Sequence, residues 1–448
     1  MIQSESAALQ SWLQRIESLH PSEIELGLTR LRQVAQRLQL SFLSPNAVRP
    51  QIITVAGTNG KGSTCAMLAA IYRTAGYRTG VYASPHLWHY CERVKVNDAP
   101  VADAQMVQAF EAIEQARGEI PLTYFEYGTL AAFYVFQQAS LDVMILEVGL
   151  GGRLDAVNLI DADVAVVTNV GLDHQDWLGD DRETIAREKA GVYRTQRAAI
   201  FGQQDLPQSL ALHAQDIGAE LLALGRDFDW QWNDAEDTWQ FQNGVDSEAF
   251  RLPLPALPGQ HQLDNAAAAL MAVLQLQNTL PINENAMAQG LRSAEMLGRL
   301  QWVRYSDLAE NGTASSTNLL LDVAHNADGA KALAEYLQSQ SLSPQRRVLM
   351  VFSALGDKDL AAMLPPLRTL VSEWYIAPLS GSRGRSLGEL QQGLAESGIE
   401  QSVHGLQSIA EALQAALSAA KNDDFIVVCG SFLTVAAAAA ALHLEHAE

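Results

Sequence analysis

Positive charge is scarce in this chain of 448 residues: 30 Lys and Arg stand against 51 Asp and Glu, a formal net charge of -21. A general nucleic-acid binder needs a basic footprint, so the balance argues against that class. A small anionic substrate stays possible, because a local cluster of cations can act within one site. Cysteine is scarcer still. Cys65, Cys91 and Cys429 have neither metal-ligand nor disulfide spacing, which fits thiols kept reduced in a cytoplasm. The amino terminus carries Glu5 and no basic stretch leading into an apolar one, so no secretory signal is expected. Long hydrophobic runs are nearly missing. The one stretch long enough to raise a membrane span, FIVVCGSFLTVAAAAAALHL (425–444), divides better into a strand, a Gly430-Ser431 turn and an alanine-rich helix.

What the chain does have is strand–helix alternation. Two amphipathic helices open it, one over 25–40 with Leu28, Leu31, Val34 and Leu38 on a single face. QIITVAG (51–57), TGVYAS (79–84), LDVMILEVG (141–149) and ADVAVVTNVG (162–171) read as buried strands, with helices expected over 60–76, 103–117, 124–140 and 264–277. That order implies a mainly parallel sheet with helices on both faces. Residues 226–258, rich in Trp and Phe, read as short antiparallel strands on an edge. The polar stretch 306–317 reads as a linker or exposed loop, and a second alternation follows, with strands at 318–325, 347–355, 373–378 and 425–429. It suggests a smaller Rossmann-like domain, although G-x-G-x-x-G is absent from it and no dinucleotide site is inferred.

One absence is more pointed. AGTNGKGST (56–64) sits between a strand and a helix, as a phosphate cradle must, and Lys61 adds a cation for terminal phosphates. The common loop, however, places a hydroxyl directly after the lysine to bind magnesium. Here that residue is Gly62. Ser63 and Thr64 come one and two places late. Other donors stand at the carboxyl ends of neighbouring strands: Ser84, Glu147, and Asp173 with His174. In a parallel sheet those ends share one edge, so Ser84, Glu147 and His174 can converge beside the phosphates. Each alone has a plainer reading, as a helix cap, a surface charge and a loop histidine. An imidazole is also an unusual magnesium ligand.

GTNGKGS, SPH, TYFEYGTLAAF, EVGLGGRLDA, LDH, REKAG, LPGQHQLDNAAAAL and LDVAHN follow one another in an order that resembles the folylpolyglutamate synthase family, from about residue 25 to the carboxyl end. That family belongs with the Mur ligases, ATP-dependent amide-forming enzymes. The resemblance implies a P-loop ATPase domain of the Mur-ligase central type with a mainly parallel sheet over 1–297, and a smaller Rossmann-like glutamate-ligase domain over 298–448. It implies that magnesium, expected as two ions, is held by Ser84, Glu147 and His174, with Lys189 as a carbamate. ATP contacts carry over to Gly57, Thr58, Asn59, Gly60, Lys61, Gly62, Ser63, Asn265, Arg299 and Asp322. A pterin or folate site carries over to Thr29, Arg30, Thr123, Tyr124, Phe125, Glu126, Arg153, Leu154 and Asp155. Catalytic roles fall to Lys61, Lys189 and His325.

The implied reaction adds L-glutamate to 7,8-dihydropteroate, giving dihydrofolate, and to tetrahydrofolate and its polyglutamates, through an acyl phosphate. His325 or a nearby carboxylate would help deprotonate the incoming ammonium. The implied partners are small molecules only, with no nucleic acid and no membrane, in a cytoplasmic monomer. Three alternatives stand beside this: a folylpolyglutamate synthase without the dihydrofolate activity, a cell-wall Mur ligase, and a nucleotide-driven switch. The second would carry a separate domain before the loop, and the third a hydroxyl directly after Lys61. For Lys189 the plainer alternative is a surface helix lysine paired with Glu188 or Glu183.

Overall fold

Strands covered on both faces must be apolar throughout. Val143–Glu147 and Val164–Val167 are buried at every residue, and Gln51–Ala56 at all but its first. Ile53 pairs with Ile145 on one side and Val164 on the other. These strands lie at the centre of an eight-stranded sheet. Its order is Ala99–Pro100, Val94–Val96, Thr79–Tyr82, Val143–Glu147, Gln51–Ala56, Val164–Val167, Ala198–Phe201, Glu220–Ala223. All neighbours are parallel except Val94–Val96, which runs antiparallel to Thr79–Tyr82 and to Ala99–Pro100. That short hairpin carries too little apolar periodicity to be announced by sequence.

The computed structural model describes residues 5–20, 24–43, 49–233, 236–244, 249–304, 318–340, 346–381, 383–400, 402–421 and 424–444. The stretch read as a linker, 306–317, lies outside the described residues. The chain divides into two units, Ser4–Glu295 and Met296–Glu448. Each has its own apolar core.

In the first unit the helices Lys61–Thr74, Tyr124–Gln138 and His261–Gln275 are largely buried. The helix expected over 25–40 is shorter, Thr29–Arg37. Gly27 at φ 149° precedes it and Gln39 at φ 55° follows, both outside helical geometry. The aromatic segment is antiparallel as expected but is no edge of the main sheet. Asp229–Asn233, Thr238–Gln242 and Phe250–Pro253 form their own three-stranded sheet. Alternation turns Trp239 and Phe241 inward. Trp230 Nε1 donates to Asp264 Oδ1 at 2.8 Å, tying this sheet to the helix His261–Gln275.

The second unit holds a six-stranded sheet in the order Gln301–Arg304, Asn318–Leu321, Phe425–Cys429, Val348–Phe352, Glu373–Ile376, Val403–Gly405. Only the first pair is antiparallel. The long apolar stretch near the end resolves into the strand Phe425–Cys429, Gly430 at φ 109°, and the ten-residue helix Phe432–Ala441. Among the described residues no helix is long and apolar enough to cross a membrane.

Candidate active site

Strand order decides what meets at the carboxyl edge of the larger sheet. Gln51–Ala56 lies between Val143–Glu147 and Val164–Val167, so the loop from Gly57 emerges between Glu147 and the Thr168-Asn169 pair. Thr79–Tyr82 lies on the far side of Val143–Glu147. Ser84 therefore emerges beside Glu147, and its backbone N–H donates to Glu147 Oε2 at 3.1 Å. Glu147 is buried, a costly place for a carboxylate without compensating charge or donors.

The loop is held from behind. Asn169 Oδ1 accepts from the amides of Thr58 at 3.2 Å and Asn59 at 2.9 Å. Thr168 Oγ1 donates to Asn59 O at 2.5 Å. The loop runs so close to Thr168 that a Cβ on Gly57 would lie 1.9 Å from that hydroxyl. Gly60, at φ 80°, ends the loop, and no side chain caps the helix Lys61–Thr74. Its first amides are the kind of donor set that binds anions. Lys61 Nζ donates to the carbonyls of Gly57 and Thr58 at 3.0 and 3.1 Å. Asn265 stands against the loop, its Oδ1 2.3 Å from where a Gly60 Cβ would be. Gln262 joins Asn265 to the loop helix: it accepts from Asn265 Nδ2 at 2.9 Å and donates to Ser63 Oγ at 3.4 Å. Thr168, Asn169 and Gln262 escape sequence reading because their work is to position the loop. The TN at the end of a strand was the available signal.

Beside the loop lies a small cleft lined by Lys61, Asp173, His174 and Lys189 among others. Lys189 is buried, which overturns its reading as a surface lysine. Its two suggested partners are engaged elsewhere, Glu188 with Arg153 at 2.8 Å and Glu183 with the amides of Gln208 and Ser209. Burial, with Lys61 nearby, brings the Lys189 ammonium down to about 7, against the pull of Asp173 and Asp155. Such a lysine is substantially a neutral amine near neutral pH.

The three segments assigned to the pterin site come together. Gly27 N donates to Leu154 O at 3.3 Å. Arg30 pairs with buried Glu126 at 2.9 Å. Thr123 and Glu126 cap the helix Tyr124–Gln138 reciprocally, the threonine hydroxyl accepting from Glu126 N and the glutamate from Thr123 N. The Phe125 ring lies over Gly149, where a Cβ would meet it at 2.6 Å. Tyr124 stacks edge-on against Tyr90 at 5.7 Å. Thr29 begins its helix. Asp155 is buried, and its carboxylate accepts from the amides of Leu150 and Val157, both at 2.9 Å. Burial pushes it up to about 7 in spite of those amides. Its evident work is to fold the 149–157 loop on which Arg153 and Leu154 sit.

In the second unit Asp322 follows the strand Asn318–Leu321, and its two oxygens accept from the amides of Leu300 and Ala324, each at 2.9 Å. Burial raises its carboxyl, and Arg299 opposes the rise. The Arg299 guanidinium lies 5.4 Å from the Phe432 ring centre, and the His325 ring 5.9 Å from it. His325 Nδ1 is 2.8 Å from Val323 O. A carbonyl only accepts, so Nδ1 carries the proton and Nε2 is the basic nitrogen of the neutral ring.

A Mur ligase middle domain matches residues 55–273, and a Mur ligase glutamate ligase domain matches residues 298–432. The dihydrofolate synthase/folylpolyglutamate synthase of Escherichia coli (strain K12) is 45% identical over 96% of this chain and 94% of its own. The chain belongs to the folylpolyglutamate synthase family. Its relative of the same description from Haemophilus influenzae is 37% identical over 96% of this chain and 97% of its own. Among solved members of the family, E. coli FolC in complex with DHPP and ADP superposes with a TM-score of 0.86 at 43% identity, covering 99% of this chain and all of that one. A bifunctional folylpolyglutamate synthase/dihydrofolate synthase with Mn, AMPPNP and L-glutamate bound gives 0.85, also at 43% identity and covering 99% of this chain and 100% of its own. The Mur-ligase-like fold of two α/β units, each with a mostly parallel sheet, is thus the fold of the family.

Proposed function

We propose that this protein is an ATP-dependent ligase that joins L-glutamate in amide linkage to 7,8-dihydropteroate, giving dihydrofolate, and to tetrahydrofolate and its polyglutamates. The carrying observation is the cleft in which Lys61, His174 and buried Lys189 meet beside the phosphate loop. Relatives named for both activities, alike along nearly the whole chain, support the two acceptors.

ATP binds through the loop Gly57–Ser63, with Asn265 beside it. The amides of Thr58 and Asn59 are already spent on Asn169. The phosphates therefore take those of Gly60, Lys61, Gly62 and Ser63, and the Lys61 ammonium moves from the loop carbonyls to the terminal phosphate. Buried Glu147, with Ser84 against it, and His174 in the cleft are the residues that would hold magnesium, oxygen donors and one imidazole of the kind a divalent cation accepts. When bound, magnesium neutralises negative charge on the phosphates. The neutral Lys189 amine would add carbon dioxide, releasing one proton, and as a carbamate would offer a carboxylate-like ligand for a second ion.

The pteroyl acceptor lies along Thr29–Arg30, Thr123–Glu126 and Arg153–Asp155, with the Phe125 ring as an apolar platform. Its carboxylate attacks the terminal phosphorus of ATP, the bond to the bridging oxygen breaks, and ADP leaves. The glutamate amine then attacks the acyl carbon. Its proton goes to a base, and the phosphate leaves. The three cysteines are all free, in keeping with a cytoplasmic, reducing setting. The reading is tested by incubating the protein with MgATP, L-glutamate and each acceptor and weighing the products. One added glutamyl on both is expected. An adduct on tetrahydrofolate alone would leave a folylpolyglutamate synthase only.

A further inference from the structure

The two acceptors differ in charge. Dihydropteroate has one carboxylate, and it reacts. A monoglutamyl folate has two: the side-chain carboxylate that reacts and an α-carboxylate that does not. A protein of net charge -21 needs a local cation to hold that second anion. Most cations of the first unit's candidate site are committed. Arg30 is paired with Glu126, Arg153 with Glu188, Lys61 sits on the loop carbonyls, and Lys189 is buried in the cleft.

Arg93 is different. It stands at the end of the short 3-10 turn Tyr90–Arg93, nine residues after Ser84 in the chain. Its guanidinium lies against two rings, 5.3 Å from the centre of Tyr90 and 5.5 Å from that of Tyr124. Its Nε donates to His86 Nδ1 at 2.8 Å. Nearby Glu92 spends its carboxylate on the amides of Leu87, Trp88 and His89, and Glu5 accepts from Tyr90 N. Among the described residues Arg93 has no carboxylate partner. The two rings and His86 thus fix the plane and one edge of the guanidinium, while its two terminal nitrogens keep the fork that matches a carboxylate. The placement lies between the Ser84–His86 segment and Tyr124, both parts of the site proposed above.

We propose that Arg93 binds the non-reacting α-carboxylate of the glutamyl residue on reduced folates and so serves the second acceptor but not the first. This rests on the two-acceptor reading, and the experiment separates the two. Arg93→Gln and Arg93→Lys are compared with the unsubstituted protein by steady-state kinetics on dihydropteroate, on tetrahydrofolate and on L-glutamate. Loss of a charge-assisted pair predicts that Arg93→Gln raises KM for tetrahydrofolate roughly 10- to 100-fold. KM for dihydropteroate and for L-glutamate should stay within about twofold, the usual range for a contact not made, and Arg93→Lys should recover part of the loss. Turnover of dihydropteroate by the same variant shows that it is folded. Equal losses on both acceptors would mean that Arg93 merely holds the loop, and a raised KM for L-glutamate with both would place the incoming amino acid there; either overturns the proposal. If the unsubstituted protein uses only one acceptor, the functional reading fails, whatever the variants do.

Discussion

Lys189 is the residue whose environment asks most of the chemistry. In the folded protein its ammonium loses its proton near pH 7, far below the ordinary lysine range. The sign follows: between about 7 and the unfolded value of about 10.4 the unfolded chain binds more protons, so this group's contribution makes the folded state gain stability as pH rises through that window. The neutral amine is also the form that takes up carbon dioxide. Protein stripped of carbon dioxide should recover activity when carbon dioxide is returned, and at equal dissolved carbon dioxide faster at pH 8 than at pH 6. Native mass spectrometry should show the mass of one added carbon dioxide, absent in Lys189→Arg. Activity indifferent to carbon dioxide, with no such adduct, would leave Lys189 a plain buried cation.

At the scale of elements, the loop Gly57–Ser63 is shaped by its neighbours rather than by itself. Asn169→Ala removes the acceptor for the Asn59 amide, a loss of about 1–3 kcal/mol if that amide stays dry, whereas the Thr58 amide keeps the Asn169 main-chain carbonyl at 3.1 Å. The substitution should raise KM for ATP about tenfold, the same energy read as affinity. An unchanged KM for ATP in the alanine variant would refute this role. Gly57→Ala should be worse, since Gly57 sits at φ 149° and the added carbon would lie 1.9 Å from Thr168 Oγ1. Strain and collision predict a cost of about 1–3 kcal/mol, read as a lower melting temperature, together with loss of nucleotide binding. Legibility followed the same lines. The central strands were readable because burial on both faces demands unbroken apolar runs, and Ser84 and Glu147 because parallel strand ends share an edge. The hairpin Val94–Val96 with Ala99–Pro100 was not, being too short for periodicity, and the three-stranded aromatic sheet was recognised without its independence. Burial of Lys189 was not legible either: REKAG on a helix reads equally as a solvated face. Asn169 and Gln262 were hidden because a side chain that holds a backbone leaves no spacing rule behind.

For the whole molecule, the sequence motifs fall on two sheets of similar design, and the residues assigned to ATP divide between the units that carry them. Gly57–Ser63 and Asn265 lie in Ser4–Glu295, and Arg299 and Asp322 in Met296–Glu448. The central claim is that one chain phosphorylates either acceptor's carboxylate and passes the acyl group to glutamate. The direct measurement supplies dihydropteroate or tetrahydrofolate with heavy oxygen in the reacting carboxylate, together with MgATP and L-glutamate, and follows both products by mass. The account predicts one glutamyl added to each acceptor and one heavy oxygen in each phosphate released. Phosphate without the label, or ATP consumed with no amide formed, would contradict it.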